Sequence, residues 1–245
     1  MVKPVLFLDD GGVISDNSRR APQWQRLVGQ FFAPILGGRP EEWEDANKVF
    51  ITSLFEPAAW EARLNRARDY ADYERTYLLD WIGGMCALMN VTPPPEEESI
   101  ELTRRANAWI IPQVRADFPG VVDTVRLLHD EGYDLYTASG ESSADLEGYL
   151  GTLGIRDCFK GLYGVDLINT LKGGPEFYER LLSDAGIQPR DAIIVDDSPH
   201  AVSWAMEAGA RAVLVTSVYK GPIPPGVLFA IGSLAELPAA LPEFE

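Results

Sequence analysis

Val5 to Leu8 form a four-residue apolar run that ends abruptly in Asp9-Asp10-Gly11-Gly12. A short apolar run stopped by glycine predicts a buried parallel strand followed by a tight turn. From Phe118 onward such runs alternate with helical patterns. Val121, Val125 and Leu128 lie on one helical face that Gly132 closes. Leu135 to Ala138 reads as a strand ending in Ser139-Gly140, and Leu146, Tyr149, Leu150 and Leu153 follow at amphipathic helical spacing. Gly161 to Val165 reads as a short strand. Pro175 opens a helix with Tyr178, Leu181, Leu182 and Ala185 on its buried stripe and Gly186 at its end. Ala192 to Val195 is a strongly apolar strand running into Asp196-Asp197-Ser198. Ser198 and Pro199 read as an N-cap and first-turn proline, and Val202, Ala205 and Met206 carry that helix to Gly209. Ala212 to Val215 is the last obvious central strand. The tail from Lys220 is proline-rich, and its GSLAELPAAL segment predicts a short surface helix. Strands alternating with helices in this way predict an α/β fold with a doubly wound, Rossmann-like parallel sheet.

Residues 17–115 break the alternation. They hold Trp24, Trp43, Trp60, Trp81 and Trp109, many charges and no convincing strand. Helices are expected over Trp24–Leu36, Glu41–Leu54, Ala58–Met89 and Glu96–Ile111, with the tryptophans mostly in packing. The expected organisation is a core of residues 1–16 and 116–245 with an α-helical domain, residues 17–115, inserted after the first strand.

Composition narrows the function. The formal charge is −16, which opposes binding to nucleic acid or an anionic membrane. The charge is uneven: residues 17–115 hold 12 of the 21 basic residues but only 14 of the 37 acidic ones, so most groups able to meet an anionic substrate lie there. For most of those arginines a solvated helical surface is sufficient explanation. No apolar run approaches the length of a membrane span, and the four-residue run after Lys3 is too short to be expected to act as a signal peptide. Cys86 and Cys158 are far apart with no CxxC spacing, which predicts reduced thiols and, with the rest, a cytoplasmic protein.

Four strand ends and loops carry polar groups in order: Asp9, Ser139, Lys172 and the pair Asp196-Asp197. In a parallel sheet these ends share one edge, where open α/β sheets place their chemistry. Carboxylates crowded together cannot all stay ionised without counter-charge. A hard, oxygen-liganded cation, most naturally Mg²⁺, supplies it. Lys172 and the N–H groups after Ser139, at Gly140, suit the oxygens of a phosphate.

With these residues the chain resembles the haloacid dehalogenase (HAD) superfamily, in its helical-capped phosphatase branch. LFLDDGGVISD is similar to that family's first motif, FDxDGTLxD. FPGVVDTVRLLHDEGYDLYTAS follows FPGxxxxLxxLxxxGxxLxxxS, whose final strand ends in the second motif's Ser or Thr. LKGGPEFY resembles GKPxPDxY, and IIVDDSPHAVSWAMEAGA is similar to VxDSxxGVxAAxAAG. The motifs occur in order over nearly the whole chain, and the insertion falls where the family keeps its cap. The resemblance implies that Asp9 is a nucleophile forming an aspartyl-phosphate. It implies that Ser139 and Lys172 bind the phosphoryl group with Asp10, Gly11 and Gly140 around it. It implies that Asp9, the carbonyl of Gly11, Asp196 and Asp197 hold Mg²⁺, and that Asp16 begins the hinge to the cap. A small phosphorylated metabolite is the implied substrate, and a monomer or homodimer the implied assembly.

One position departs from the pattern. The family's second Asp, which protonates the leaving oxygen in the phosphatases, is Gly11 here. Asp10 is one residue out of register and, on a strand, points to the other face. Asp16 is a candidate substitute, though a role as a hinge or turn residue explains it better. Two further readings follow: a metal-independent 2-haloacid dehalogenase, whose chemistry also lacks the second Asp, and a protein that binds phosphate or a partner without turnover. His129, beside Asp130 and Glu131, reads as a solvated helix end. His200 lies in the first turn of a helix near the site. Arg19, Arg20, Arg104, Arg105 and Arg115 fall near the expected hinges.

Overall fold

The computed structural model describes residues 3–241. The chain divides into two compact units, one of Met1–Asn17 with Arg115–Glu245 and the other of Ser18–Val114.

The first unit is built on a six-stranded sheet: β1 (Val5–Leu8), β2 (Leu135–Ala138), β3 (Phe159–Tyr163), β4 (Ala192–Asp196), β5 (Arg211–Val215) and β6 (Phe229–Ile231). The spatial order is β3-β2-β1-β4-β5-β6, and every pairing is parallel. The helices α6 (Val121–Asp130), α7 (Ser143–Leu153), α8 (Pro175–Ala185) and α9 (Pro199–Glu207) fall between the strands in sequence, as the alternation predicts. Because side chains alternate across a strand, Leu6, Leu8, Leu135, Ile193, Val195, Val213 and Val215 share one face. They pack with Val125 and Leu128 of α6 and Leu146, Leu150 and Leu153 of α7. On the other face Phe7 stacks on Tyr136 with centroids 5.1 Å apart, and Val202 of α9 packs on Ala212 and Leu214. Burial on both faces is why the strands read as continuous apolar runs.

The structure refines the sequence reading at three places. β3 starts two residues earlier than predicted, at Phe159, and ends at Tyr163. β6 was not expected, since two half-buried residues and one buried one give no run to read. The GSLAELPAAL segment forms a 3₁₀ turn and then the short helix α10 (Leu237–Ala240), with Ala235, Glu236 and Ala239 exposed on one side. Leu234, Leu237 and Leu241 are wholly buried in the main core, each worth about 1.5–3 kcal/mol of apolar burial.

The second unit is helical: α1 (Asn17–Leu36), α2 (Pro40–Leu54), α3 (Pro57–Arg66), α4 (Tyr70–Met89) and α5 (Glu96–Ile110). α1 begins seven residues before the expected Trp24, despite Pro22 and Pro34 within it. The expected Ala58–Met89 helix is two helices, because Asp69 stops the chain in an extended conformation and its carboxylate accepts the N–H of Asp72 at 2.9 Å to cap α4. Phe32 lies between Trp43 and Trp81, with ring centroids 5.6 and 5.7 Å away. Both indoles are buried with satisfied N–H groups, Trp81 on Asn47 Oδ1 at 2.8 Å and Trp43 on the Gly37 carbonyl at 2.7 Å. Trp109 differs, being 41% exposed. Among the described residues no helix is long and apolar enough to cross a membrane.

Candidate active site

The strand order reverses between β1 and β4. Chain progression runs outward from β1 through β2 to β3, then returns to β4 and runs outward again. Ligands of open α/β sheets bind beyond the carboxyl ends of the strands at such a switch point. The register places Leu8 opposite Val195, and the Asp9 N–H extends that pairing by donating to the Val195 carbonyl at 2.9 Å. Asp9 and Asp196 are therefore level neighbours, and Asp197 follows directly. Ligand oxygens of all three carboxylates lie within 4.8 Å of one another.

Lys172 joins the strand tips. Its ammonium lies 3.0 Å from Asp9 Oδ1 and 2.7 Å from Asp196 Oδ2, and it donates to the Ala138 carbonyl at the end of β2 at 2.9 Å. An ammonium has three protons, so these contacts use all of them. Burial by itself would push the Lys172 pKa down, but Asp196 and Asp9 outweigh it and hold it well above its ordinary value. Both oxygens of Asp196 are engaged too. Oδ2 meets Lys172 and, at 3.5 Å, the Tyr178 hydroxyl, while Oδ1 accepts the Ser198 N–H at 2.9 Å.

Three carboxylates against one ammonium leave an excess of negative charge. Burial pushes Asp9 up to about 6; Lys172 opposes the shift and Asp196 adds to it. Asp197 is also pushed up to about 6, by burial first and by Asp9 next. Asp196 is raised by burial, against the pull of Lys172.

The turn after β1 is fixed by its own hydrogen bonds. The Asp10 carbonyl accepts from the N–H groups of Ile14 and Ser15, and the wholly buried Asp10 carboxylate accepts the Ser15 hydroxyl at 2.9 Å. A phosphate role for Asp10 therefore falls to its backbone rather than to its side chain. Gly12 has φ +83°, and a Cβ built on it would lie 2.0 Å from Asp197 Oδ2. Only glycine fits there, so the turn can lie against the Asp197 carboxylate. Gly11 has no such backbone demand; the three atoms nearest its would-be Cβ all belong to the Asn17 side chain.

Ser139 lies one residue beyond β2, 1% exposed. Its N–H donates to the Tyr163 carbonyl, and its hydroxyl oxygen accepts the Glu141 N–H at 3.2 Å, which leaves the hydroxyl proton to donate. Gly140 is exposed beside it. Ser198 caps α9, accepting the Ala201 N–H at 3.3 Å. His200 is exposed and stacked near Trp204, and His129 is exposed beside Asp130. Arg104 pairs with Glu74 and Arg115 with Asp117, while Arg20 is buried. Sequence reasoning missed Tyr178 as part of the cluster, reading it as core. The available signal was a tyrosine on a buried stripe, whose hydroxyl needs a partner.

Comparison with known proteins agrees with this architecture. The haloacid dehalogenase-like hydrolase family matches over residues 10–209. Pyrophosphatase PpaX of Halalkalibacterium halodurans is 23% identical over 129 residues, 53% of this chain and 60% of that protein. Phosphoglycolate phosphatase 1 of Pseudomonas aeruginosa is 29% identical over 102 residues, 42% of this chain and 38% of that protein. The chain thus spans less than two thirds of the length of either relative. The crystal structure of 2-haloacid dehalogenase from Pseudomonas syringae pv. Tomato DC3000 superposes over 100% of both chains with a TM-score of 0.67 at 19% identity, which shows a shared fold. With its motifs, sheet order and family match in agreement, the chain belongs to the haloacid dehalogenase-like hydrolases.

Proposed function

We propose that this hydrolase is a Mg²⁺-dependent phosphatase that acts on a small phosphorylated metabolite through a phosphoaspartate on Asp9. The observation that carries the reading is the cluster itself: Asp9 at a strand tip, 3.0 Å from the Lys172 ammonium, with Asp197 and Asp196 beside it. The phosphatase and pyrophosphatase names of the curated relatives support it.

The donor set fits a hard cation. It is all oxygen, it carries more negative charge than Lys172 neutralises, and burial first, with the neighbouring carboxylates second, holds Asp9 and Asp197 near pKa 6. Asp9, Asp197 and the Gly11 carbonyl are the groups assigned to hold Mg²⁺. Asp196, with both oxygens already engaged, is assigned instead to anchor Lys172. When bound, Mg²⁺ offsets the repulsion between the Asp9 carboxylate and the phosphoryl oxygens.

The chain's own groups do the rest. Lys172 exchanges one of its three bonds for a phosphoryl oxygen, and Ser139 donates its hydroxyl proton to another. An Asp9 carboxylate oxygen attacks phosphorus, the bond to the leaving oxygen breaks, and water then hydrolyses the phosphoaspartate. The helical unit Ser18–Val114 is assigned the selection of substrate.

Asp197→Asn tests the metal assignment. By calorimetry its Mg²⁺ affinity should fall at least roughly tenfold; unchanged affinity contradicts the assignment. Without metal the same substitution should stabilise the protein at neutral pH. The unfolded Asp197 titrates near 3.8 and the folded one near 6, so the native state binds more protons between those values. Stability from this group is thus full below about pH 4 and lost as pH rises through about 6. The melting temperature of Asp197→Asn should exceed that of the native protein at about pH 7.5, and the gap should close at about pH 4. A gap independent of pH contradicts the raised pKa of Asp197, which burial and Asp9 together produce.

The absence of a carboxylate at Gly11 favours a second reading, 2-haloacid dehalogenation by the same Asp9. Halide release that needs no Mg²⁺, without phosphate release, would select it.

A further inference from the structure

Gly11 leaves a position in the site with no side chain of its own, but not an empty one. A Cβ built there would lie 3.0 Å from Asn17 Nδ2, 3.3 Å from Asn17 Oδ1 and 3.6 Å from Asn17 Cγ, and these are its three nearest atoms. The carboxamide of Asn17 therefore stands where a side chain from residue 11 would project. Its placement is built into the fold. The Asp16 N–H donates to the Ala116 carbonyl at 2.7 Å, Ser15 bridges Gly11 on one side and Asp117 on the other, and Asn17 then opens α1. The next residue, Gly12, lies against Asp197, so this turn borders the carboxylate cluster directly.

We propose that Asn17 is a catalytic residue that meets the leaving oxygen of the substrate. The inference rests on the phosphatase reading and adds the group that acts in place of a general acid. As an Asp9 oxygen bonds to phosphorus, the phosphorus–oxygen ester bond breaks and its electron pair stays on the leaving oxygen. Asn17 Nδ2 donates a hydrogen bond to that developing charge. A carboxamide does not release its protons near neutral pH, so the proton that completes the alcohol comes from water. Asn17 thus stabilises charge without transferring a proton. The consequence is specificity for leaving groups that carry negative charge well: aryl and acyl phosphates ahead of alkyl phosphates, whose alkoxides are strong bases.

The test is the slope of log kcat/KM, which reports the step in which the leaving group departs, against leaving-group pKa, measured with Mg²⁺ over a series of aryl and alkyl phosphates for the native protein, Asn17→Ala and Asn17→Asp. Asn17 is exposed, and an acid is favourable in the first turn of a helix, so the Asp variant guards against loss of fold. The native slope should be steep. Asn17→Ala should make it steeper and lower kcat/KM for alkyl phosphates by roughly 10²-fold. Asn17→Asp should flatten it, raise the alkyl values, and add a falling limb to the pH profile of kcat/KM as the new carboxyl loses its proton. Native activity with Asn17→Ala unchanged in slope and kcat/KM overturns the inference alone. A flat native slope does the same, because another group then supplies the proton. No Mg²⁺-dependent phosphate release by the native protein overturns the phosphatase reading and this inference with it.

Discussion

Asp9→Asn should abolish phosphate release, by roughly 10⁴-fold or more as for other nucleophile replacements. The amide has the same shape and no nucleophilic oxygen anion. The fold should survive, because Lys172 keeps its bonds to Asp196 and the Ala138 carbonyl. The substitution also removes one of the crowded carboxylates, so the melting temperature of the metal-free variant at neutral pH should match or exceed the native value. Circular dichroism and a phosphate-release assay on one preparation check both halves. Turnover near the native rate contradicts the chemistry. Loss of turnover with loss of fold shows that Asp9 is structural.

Lys172→Met should be the most destabilising single change at the site. The Lys172 side chain is 12% exposed, and its ammonium lies against two buried carboxylates. Removing it while keeping them leaves uncompensated charge in the interior, which costs about 3–5 kcal/mol. The cost depends on pH with a definite sign. Asp9 and Asp196 already titrate above their ordinary values through burial, and Lys172 is what restrains them. Without it both rise further, so the variant should lose stability more steeply than the native protein as pH rises through 6, and recover as pH falls and the carboxyls protonate. Urea unfolding at about pH 5 and pH 8 measures this. A loss equal at both pH values, or under about 1 kcal/mol, contradicts the view of Lys172 as the counter-charge.

The sheet and its active edge were legible in the sequence because each depends on local pattern. β1 and β4 are apolar runs buried on both faces, and each ends in carboxylates that mark the strand tip. What the sequence left out depends on partners distant along the chain. β6 is three residues long and has a place only because β5 offers it an edge. Leu234, Leu237 and Leu241 are spaced like a surface helix stripe, and their burial depends on α6 and the sheet already being in place. The break at Asp69 was local, but an aspartate within an amphipathic stretch reads equally well as an exposed helical residue. At the site, motif spacing brought out Asp9, Ser139, Lys172, Asp196 and Asp197. It could not show that Lys172 spends all three protons, that Tyr178 shares Asp196 Oδ2, or that Asn17 fills the space beside Gly11. These facts are geometric and belong to the folded turn.

The central claim is that Asp9 becomes covalently phosphorylated. The direct measurement is an acid quench during turnover of ³²P-labelled p-nitrophenyl phosphate with Mg²⁺, followed by peptide mapping of the protein-bound label. The account predicts label on the peptide containing Asp9, labile to hydroxylamine as an acyl phosphate is, and absent from Asp9→Asn and from samples without Mg²⁺. Phosphate release with no labelled peptide, or with label on any other residue, would contradict it.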